Sequence, residues 1–348
     1  MKHAKFFSLA VFTIALTYVG VGFYFLPLTT FQGDLTRMGL VPESLFGWTQ
    51  PQPAIDPALM HQATMKEADV LVIGDSFSAG RIWQTALTQR GLKVRTESWN
   101  GMRGICADFM PWLRAQGFKG RYLVLESLEH YMVNILERSV ACPSMQYRAN
   151  VNTDRPRDPP IVSFDTTYGN YSGRFSIGIQ TRLNVAEYER LSRAADFKVW
   201  TLPNDIKMAR LENGCELFSH VRCQDSLFMA DDKAEDVEPS ALENIEKLNA
   251  RLPGITPIWA FVPNRSTSYL YPDKQFWNTA EQRFQAPNLL RMTQRAIHNK
   301  TVDLYPANNT HFSTTGYLLM GQEISKAIQP LQPQAAPTSA ARETASPR

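Results

Sequence analysis

No charged residue interrupts the chain from Phe6 to Gly33, and the 23 residues Phe6–Leu28 are mostly apolar. At about 1.5 Å per residue, a helix of that length crosses the roughly 30 Å hydrocarbon core of a bilayer. The run is apolar all round, unlike a core helix with one buried stripe. Shorter patterns follow it. Val70–Ile73 is a continuous apolar run ending at Gly74, as in a strand buried on both faces. A helix is expected over about Ala79–Arg90, closed by Gly91. Lys93–Glu97 alternates as a second strand, and Tyr122–Leu125 is a third buried run. The region 69–130 therefore reads β-α-β-α-β, the pattern of a parallel sheet with crossover helices.

The same reading continues beyond residue 240. A helix is expected over Ala241–Arg251 with Ser240 as N-cap, then a fourth strand over Ile255–Val262. A helix over Leu289–Asn299 leads to a short strand at Val302–Tyr305. The last helix, Thr314–Ile328, is capped by Ser313 and places Tyr317, Leu318, Met320, Ile324 and Ile328 on one face. Three stretches lack such patterning. Residues 31–66 carry Pro and Gln and read as a tether. Residues 143–185, with Pro156, Pro159 and Pro160, read as loops and short hairpins within an insertion at about 143–240. Residues 329–348 are rich in Pro, Ala, Ser, Thr and Gln and read as a disordered tail. The expected organisation is an anchor at 1–30, the tether, an α/β domain at 67–328 and the tail. No internal repeat is present.

Composition narrows the class. A chain of 348 residues with 44% hydrophobic content buries a sizeable core without help from a metal. A net charge of +3 excludes nucleic acid as the main partner on electrostatic grounds. Lys2 and Lys5 precede the apolar run, which places the N-terminus in the cytoplasm and the remainder outside. A signal peptide has an apolar region of only about 7–15 residues and a small-residue cleavage site, so an uncleaved signal anchor is favoured over a cleaved leader. Cys106, Cys142, Cys215 and Cys223 fit an oxidising compartment. Cys215 and Cys223 bracket a short loop and are paired, which leaves Cys106 with Cys142; four buried free thiols are the competing reading. The scattered histidines and the lack of a Cys-x-x-Cys argue against structural zinc.

Chemistry concentrates in Ala68–Gly80. Here a buried strand ends in Gly74-Asp75-Ser76 and a helix begins directly afterwards. A serine at the carboxyl end of such a strand lies where α/β proteins place ligands. The helix start behind it offers unsatisfied N–H groups able to hold an oxyanion. Asp75 has a plain role too, fixing the turn through backbone N–H groups. A partner histidine should come from another loop on the same edge. His311, between a strand and the final helix, fits best. His3 and His61 precede the domain, His130 and His220 lack a motif, and His298 lies within a helix. Ser76 and His311 are therefore expected to meet as nucleophile and general base.

Together these residues resemble the SGNH/GDSL hydrolase superfamily, with Gly74-Asp75-Ser76 near the start and a His motif before the last helix. The closest likeness is to the SGNH-like domain of the alginate O-acetyltransferase group. Val72–Phe77 resembles its nucleophile block, and Thr310-His311-Phe312-Ser313 with Gly316 its histidine block. Phe261–Asn264 through Tyr269, Tyr271 and Pro272 resembles a segment between them. The resemblance implies a flavodoxin-like three-layer fold with a parallel central sheet. Two positions depart from the pattern. The acid that orients the histidine would stand at 308 or 309, and both are Asn, so Asp303 and Glu126 are considered as substitutes. The superfamily also places a Gly and an Asn as oxyanion donors. Gly101 fits the first, Glu126-Ser127 stands where the second is expected, and Asn100 is the substitute amide.

The resemblance implies acyl-group chemistry, most readily O-acetyl transfer to or from a polysaccharide, with Ser76 attacking the acyl carbonyl. A GDSL-type esterase and a non-catalytic glycan-binding or scaffold subunit of a polysaccharide-modifying complex are the alternatives. It further implies a single-pass protein of the bacterial inner membrane with its domain in the periplasm. The acyl donor would come from an inner-membrane partner protein. No metal or organic cofactor is implied. Tyr168, Tyr171 and Phe175 in the insertion are candidates to line a sugar groove.

Overall fold

The computed structural model describes residues 2–146 and 170–328. Pro156, Pro159, Pro160, Tyr168, the side chain of Tyr171 and the predicted tail lie outside the described residues. The chain begins with a helix over Lys2–Phe25 and a 3-10 turn over Leu26–Thr29. Among the described residues, one helix is long and apolar enough to cross a membrane, and only 6% of its apolar window is buried. A short strand β1 (Thr30–Phe31) follows at once.

The apolar runs form the central sheet. Strands β2 (Val70–Gly74), β3 (Val94–Ser98) and β4 (Tyr122–Leu128) pair in parallel, with β2 in the middle. Alternate residues of these strands point to opposite faces. Leu71, Ile73, Leu123 and Leu125 join one core, while Val70, Val72, Tyr122 and Val124 join the other. Burial on both faces is why the runs read as continuous rather than alternating. A later strand, β9 (Thr256–Val262), completes the sheet, giving the order β3-β2-β4-β9, all parallel. Helices cover both faces, among them Glu129–Ala141 and Ser240–Asn249 on one side, Leu289–His298 and Thr314–Ile328 on the other. The result is a mixed α/β protein with a parallel central sheet of four strands.

The insertion is more ordered than expected. A strand β5 (Asn170–Tyr171) pairs antiparallel with β1. The helix Phe175–Ser192 then replaces the predicted loops. Its buried positions are Gly178, Thr181, Asn184, Val185 and Tyr188, so small and polar residues hide the helical period. Strands β6 (Val199–Leu202), β7 (Ile206–Arg210) and β8 (Asp225–Met229) form an antiparallel meander, and β9 (Thr256–Val262) returns to the central sheet.

Four further expectations are corrected. The segment read as a tether contains helices Asp34–Gly39 and Glu43–Phe46, and Leu35, Val41 and Phe46 are buried against the meander with Met208 and Leu227. The helix expected over 79–90 is broken into Ser76–Ala79 and Thr85–Thr88, with Arg81 in the left-handed region at φ 56°. Val302–Tyr305 is a turn rather than a strand, because Asp303 also has positive φ, at 52°. Ser240 is the first helical residue rather than the cap, which is Pro239. The Ser313 cap is present, its Oγ accepting from Gly316 N at 3.2 Å.

Both disulfides, Cys106–Cys142 and Cys215–Cys223, are formed, each with a Cα separation of 4.6 Å. The first closes a 36-residue separation and the second one of 8 residues. In the loop-entropy account, Cys106→Ser/Cys142→Ser should lower unfolding stability by about 4 kcal/mol and Cys215→Ser/Cys223→Ser by about 2.5 kcal/mol. Denaturant titration of the two double variants measures the ranking. An equal or reversed loss would show that loop closure does not govern their effect.

Candidate functional site

The nucleophile turn is built by packing too close for side chains. A Cβ at Gly74 would lie 2.3 Å from Ser78 Oγ and 2.6 Å from Glu126 Oε2, so only glycine ends β2 here. Asp75 then caps the helix Ser76–Ala79. Its Oδ1 accepts from Phe77 N at 2.9 Å and its Oδ2 from Leu128 N at 2.7 Å, tying the turn to the end of β4. Asp75 is thus a turn residue. Ser76 stands exposed at the start of the helix, at the carboxyl edge of the sheet.

Glu126 lies behind the turn and not beside His311. It accepts from Ser78 Oγ at 2.5 Å and from Asp75 N at 3.2 Å. Burial, and next the neighbouring Asp75 carboxylate, hold its carboxyl well above the usual range. The folded state therefore keeps a proton that the unfolded chain releases near the ordinary glutamate value of 4.5. By linkage, its contribution to stability is full below that pH and declines as pH rises towards the folded-state value. Glu126→Gln keeps both acceptor contacts and removes this ionisation. The variant should gain stability relative to the parent as pH rises from 5 to 8, read from denaturation midpoints. A parallel pH dependence in both proteins would show that Glu126 is ionised in the fold.

His311 comes from the loop before the last helix. Its ring stacks on Phe77, with centroids 4.8 Å apart and planes at 29°. Its Nε2 is 2.7 Å from Ser76 Oγ. On the other side, Nδ1 lies 3.2 Å from Asn309 Oδ1, 3.2 Å from Thr310 Oγ1 and 3.8 Å from Asp34 Oδ2. Asn309 Oδ1 also accepts from His311 N at 2.9 Å, so the amide turns its oxygen, not its nitrogen, towards the ring. With acceptors facing Nδ1, the hydrogen belongs on Nδ1 and the lone pair of Nε2 faces Ser76. Asn309 in this orientation supports the working tautomer.

Asp34 is the acid that the sequence motifs did not reveal. It opens the helix Asp34–Gly39, its Oδ1 accepts from Thr310 N at 2.9 Å, and Thr310 Oγ1 donates to its Oδ2. Thr310 thereby links the carboxylate to the histidine ring. The approach of the two segments requires Gly33, where a Cβ would lie 1.9 Å from Asn308 O. Leu35 N donates to the same carbonyl at 3.0 Å. One signal was available: Asp34 is the first charge after the uncharged run.

The other candidate orienting residues lie elsewhere. Asp303 is fully buried and accepts from Ser219 N and Ser219 Oγ. Asn308 Nδ2 donates to Glu43 Oε1, which clamps the histidine loop to the segment after the first helix. Gly101 and Asn100 lie in the short helix Trp99–Met102 at the end of β3, exposed, and neither lines the clefts at Ser76. Asn100 N already donates to Ser98 Oγ at 3.2 Å.

Two clefts open on the Ser76–His311 pair. One, of about 240 Å³, runs between Leu35, Met38, Leu128, Tyr131 and Met229, with His130, Asp232, Asn264 and Arg265 also lining it. The other, of about 230 Å³, is bounded by Trp48, Ile82, Pro306 and Tyr317. Arg265 is buried and donates to Ala307 O at 2.8 Å and Ser226 Oγ at 2.5 Å, with Phe218, Phe228 and Tyr269 around its guanidinium. Burial lowers its pKa to about 10, which leaves it charged at neutral pH. It braces the histidine loop from below. His130, Asp231 and Asp232 bring ligand-type atoms within 4.8 Å of one another, and Asn264 Nδ2 donates to Asp232 at 2.9 Å.

Comparisons with protein-family models, curated proteins and solved structures gave no match. The functional reading therefore rests on the geometry of Ser76, His311, Asn309, Thr310 and Asp34.

Proposed function

We propose that the chain is a membrane-anchored serine acyltransferase of SGNH type, which moves an O-acetyl group to or from a polysaccharide outside the cytoplasm. The observation that carries this reading is the 2.7 Å contact between Ser76 Oγ and His311 Nε2, backed by acceptors at Nδ1. Ser76 Oγ attacks the acyl carbonyl while its proton passes to Nε2. Collapse of the tetrahedral intermediate expels the donor alcohol, which takes that proton and leaves an acyl-Ser76. An acceptor sugar hydroxyl then attacks the acyl carbon and gives its proton to Nε2, which passes it to Ser76 Oγ as the acyl–serine bond breaks. The Ser76 N–H, first in the helix Ser76–Ala79 and so without a partner within it, is the candidate donor to the developing oxyanion. The imidazolium formed in each step is stabilised by Asp34 through Thr310.

Two clefts meeting at one nucleophile support transfer between two substrates, a donor on one side and an acceptor on the other. The apolar helix and the two disulfides support a bacterial inner-membrane anchor with a periplasmic domain. An inner-membrane protein would supply the acyl donor there.

The test is capture of the covalent intermediate. The protein is incubated with an activated acetyl ester, quenched in acid and digested, and the acetyl group should reside on the Ser76 peptide. Adding an oligosaccharide acceptor should shift product from acetate to acetylated sugar. Acetate as the sole product across acceptors would identify an esterase. No acetylation of Ser76 would leave the glycan-binding or scaffold reading.

A further inference from the structure

The apolar helix and the insertion touch each other at a defined depth. Phe175 meets Tyr18 edge-on, with ring centroids 5.7 Å apart. Tyr18 lies seven residues before Phe25, the last residue of the Lys2–Phe25 helix, or about 10 Å down its axis. Further along the same contact, Gly178 packs on the backbone of Phe25 and the Arg182 guanidinium sits 5.8 Å above the Tyr24 ring. The two segments are also joined by the β1–β5 pairing and by Ser172 N donating to Thr29 O at 3.1 Å. If residues 6–28 span a bilayer, Tyr18 lies near its middle and Phe25 near its outer edge, so the start of the helix Phe175–Ser192 dips below the outer headgroups.

The free face of that helix fits such a position. Ile179 and Leu183, one turn apart, are 46% and 58% exposed, although both are large and apolar. The first helix carries exposed apolar residues at the same end, with Phe23 81% and Tyr24 54% exposed. Arg174 and Arg182 flank them and Arg190 follows two turns later, all exposed. Exposed apolar residues with an arginine at the helix start and another beside them are what an interfacial helix presents, its basic side chains reaching the headgroups. Its far end is different: Glu187 and Arg190 form an exposed ion pair at 2.7 Å. The apolar and basic half is the half beside the first helix, and the acidic half points away from it.

We propose that residues 175–186 form a second membrane contact, lying in the outer headgroup boundary of the same bilayer that the first helix spans. Ile179 and Leu183 enter the acyl region, Arg174 and Arg182 bind anionic headgroups, and the helix leaves the lipid before Arg190. The anchored domain is then held by two elements and keeps one orientation relative to the membrane. This inference rests on the span and not on acyl chemistry.

All four cysteines are in disulfides, so a single added cysteine takes one probe. Ile179→Cys, Leu183→Cys and Arg190→Cys are labelled with an environment-sensitive fluorophore in the full chain, reconstituted in phosphatidylglycerol-containing nanodiscs. Probes at 179 and 183 should emit to the blue, lose emission to doxyl-labelled lipid and resist aqueous iodide. The probe at 190 should show the reverse. Iodide quenching at 179 and 183 without lipid quenching would overturn the proposal. So would protection from both quenchers, which would mean that a protein surface covers the face. If one substitution prevents folding, Ala186→Cys, exposed on the same face, takes its place.

Discussion

Ser76→Ala and His311→Ala should each lower kcat for an activated acetyl ester by about 10⁴-fold or more, and the double variant should lose little beyond either. The two groups act on one proton through a single 2.7 Å contact, so removing either member abolishes the same step. Single-turnover release of the leaving group measures it and also reports the acyl-enzyme directly. Ser76 is exposed and His311 half-buried, so neither truncation opens a core cavity, and the fold should survive. Multiplicative losses in the double variant would mean that the residues act in separate steps. Full activity in Ser76→Ala would remove the covalent mechanism.

Asp34→Ala should lower kcat by about 10²- to 10⁴-fold, more than it changes KM, because its carboxylate acts by stabilising the imidazolium. The carboxylate lies 3.8 Å from Nδ1 and also holds Thr310 N and Oγ1, so Thr310→Val should reproduce part of the loss. Asn309→Asp supplies the discriminating measurement. In the parent, Asp34 is already present and a second carboxylate should change turnover little. In the Asp34→Ala background, the new carboxylate stands 3.2 Å from Nδ1 in place of the amide oxygen and should restore much of the rate. Rescue of kcat separates an electrostatic role from a structural one, since a misplaced loop is not repaired by a charge. No loss in Asp34→Ala would assign the orienting role to Asn309 alone.

The parts legible in the sequence are those whose signal is local. β2, β4 and β9 announce themselves as apolar stretches because both faces are covered, β3 shows only as alternation, and all four fall within a few residues of the expected positions. Ser76 is recognisable from the strand-turn-helix around it, and His311 from its place before the last helix. Asp34 carries no such signal. It meets Thr310 across 276 residues of sequence, from a segment whose helices are short and owe their burial to the meander. The helix Phe175–Ser192 was hidden because its buried face uses Gly, Thr and Asn. Val302–Tyr305 misled in the opposite sense: Leu304 and Tyr305 are buried like strand residues, yet the left-handed Asp303 prevents an extended ladder. Asp303 and Glu126 were plausible as acids by type, and only the fold shows that each is committed to a serine hydroxyl elsewhere.

The segment between the apolar helix and Asp34 has a mechanical meaning. Eight residues separate Phe25 from Asp34, and β1 within them is paired to β5. Even fully extended, that length of chain spans only about 30 Å. With the first helix in a bilayer and Ser76 reacting as proposed, the serine would work at a low height above that bilayer, with no long leash on which to sweep the space beyond. A polymer modified here has to pass that height, so modification would accompany the emergence of the polymer and would not reach material that has already moved away. Lengthening this link by a flexible stretch would change which part of a growing chain is modified without altering a single reacting group.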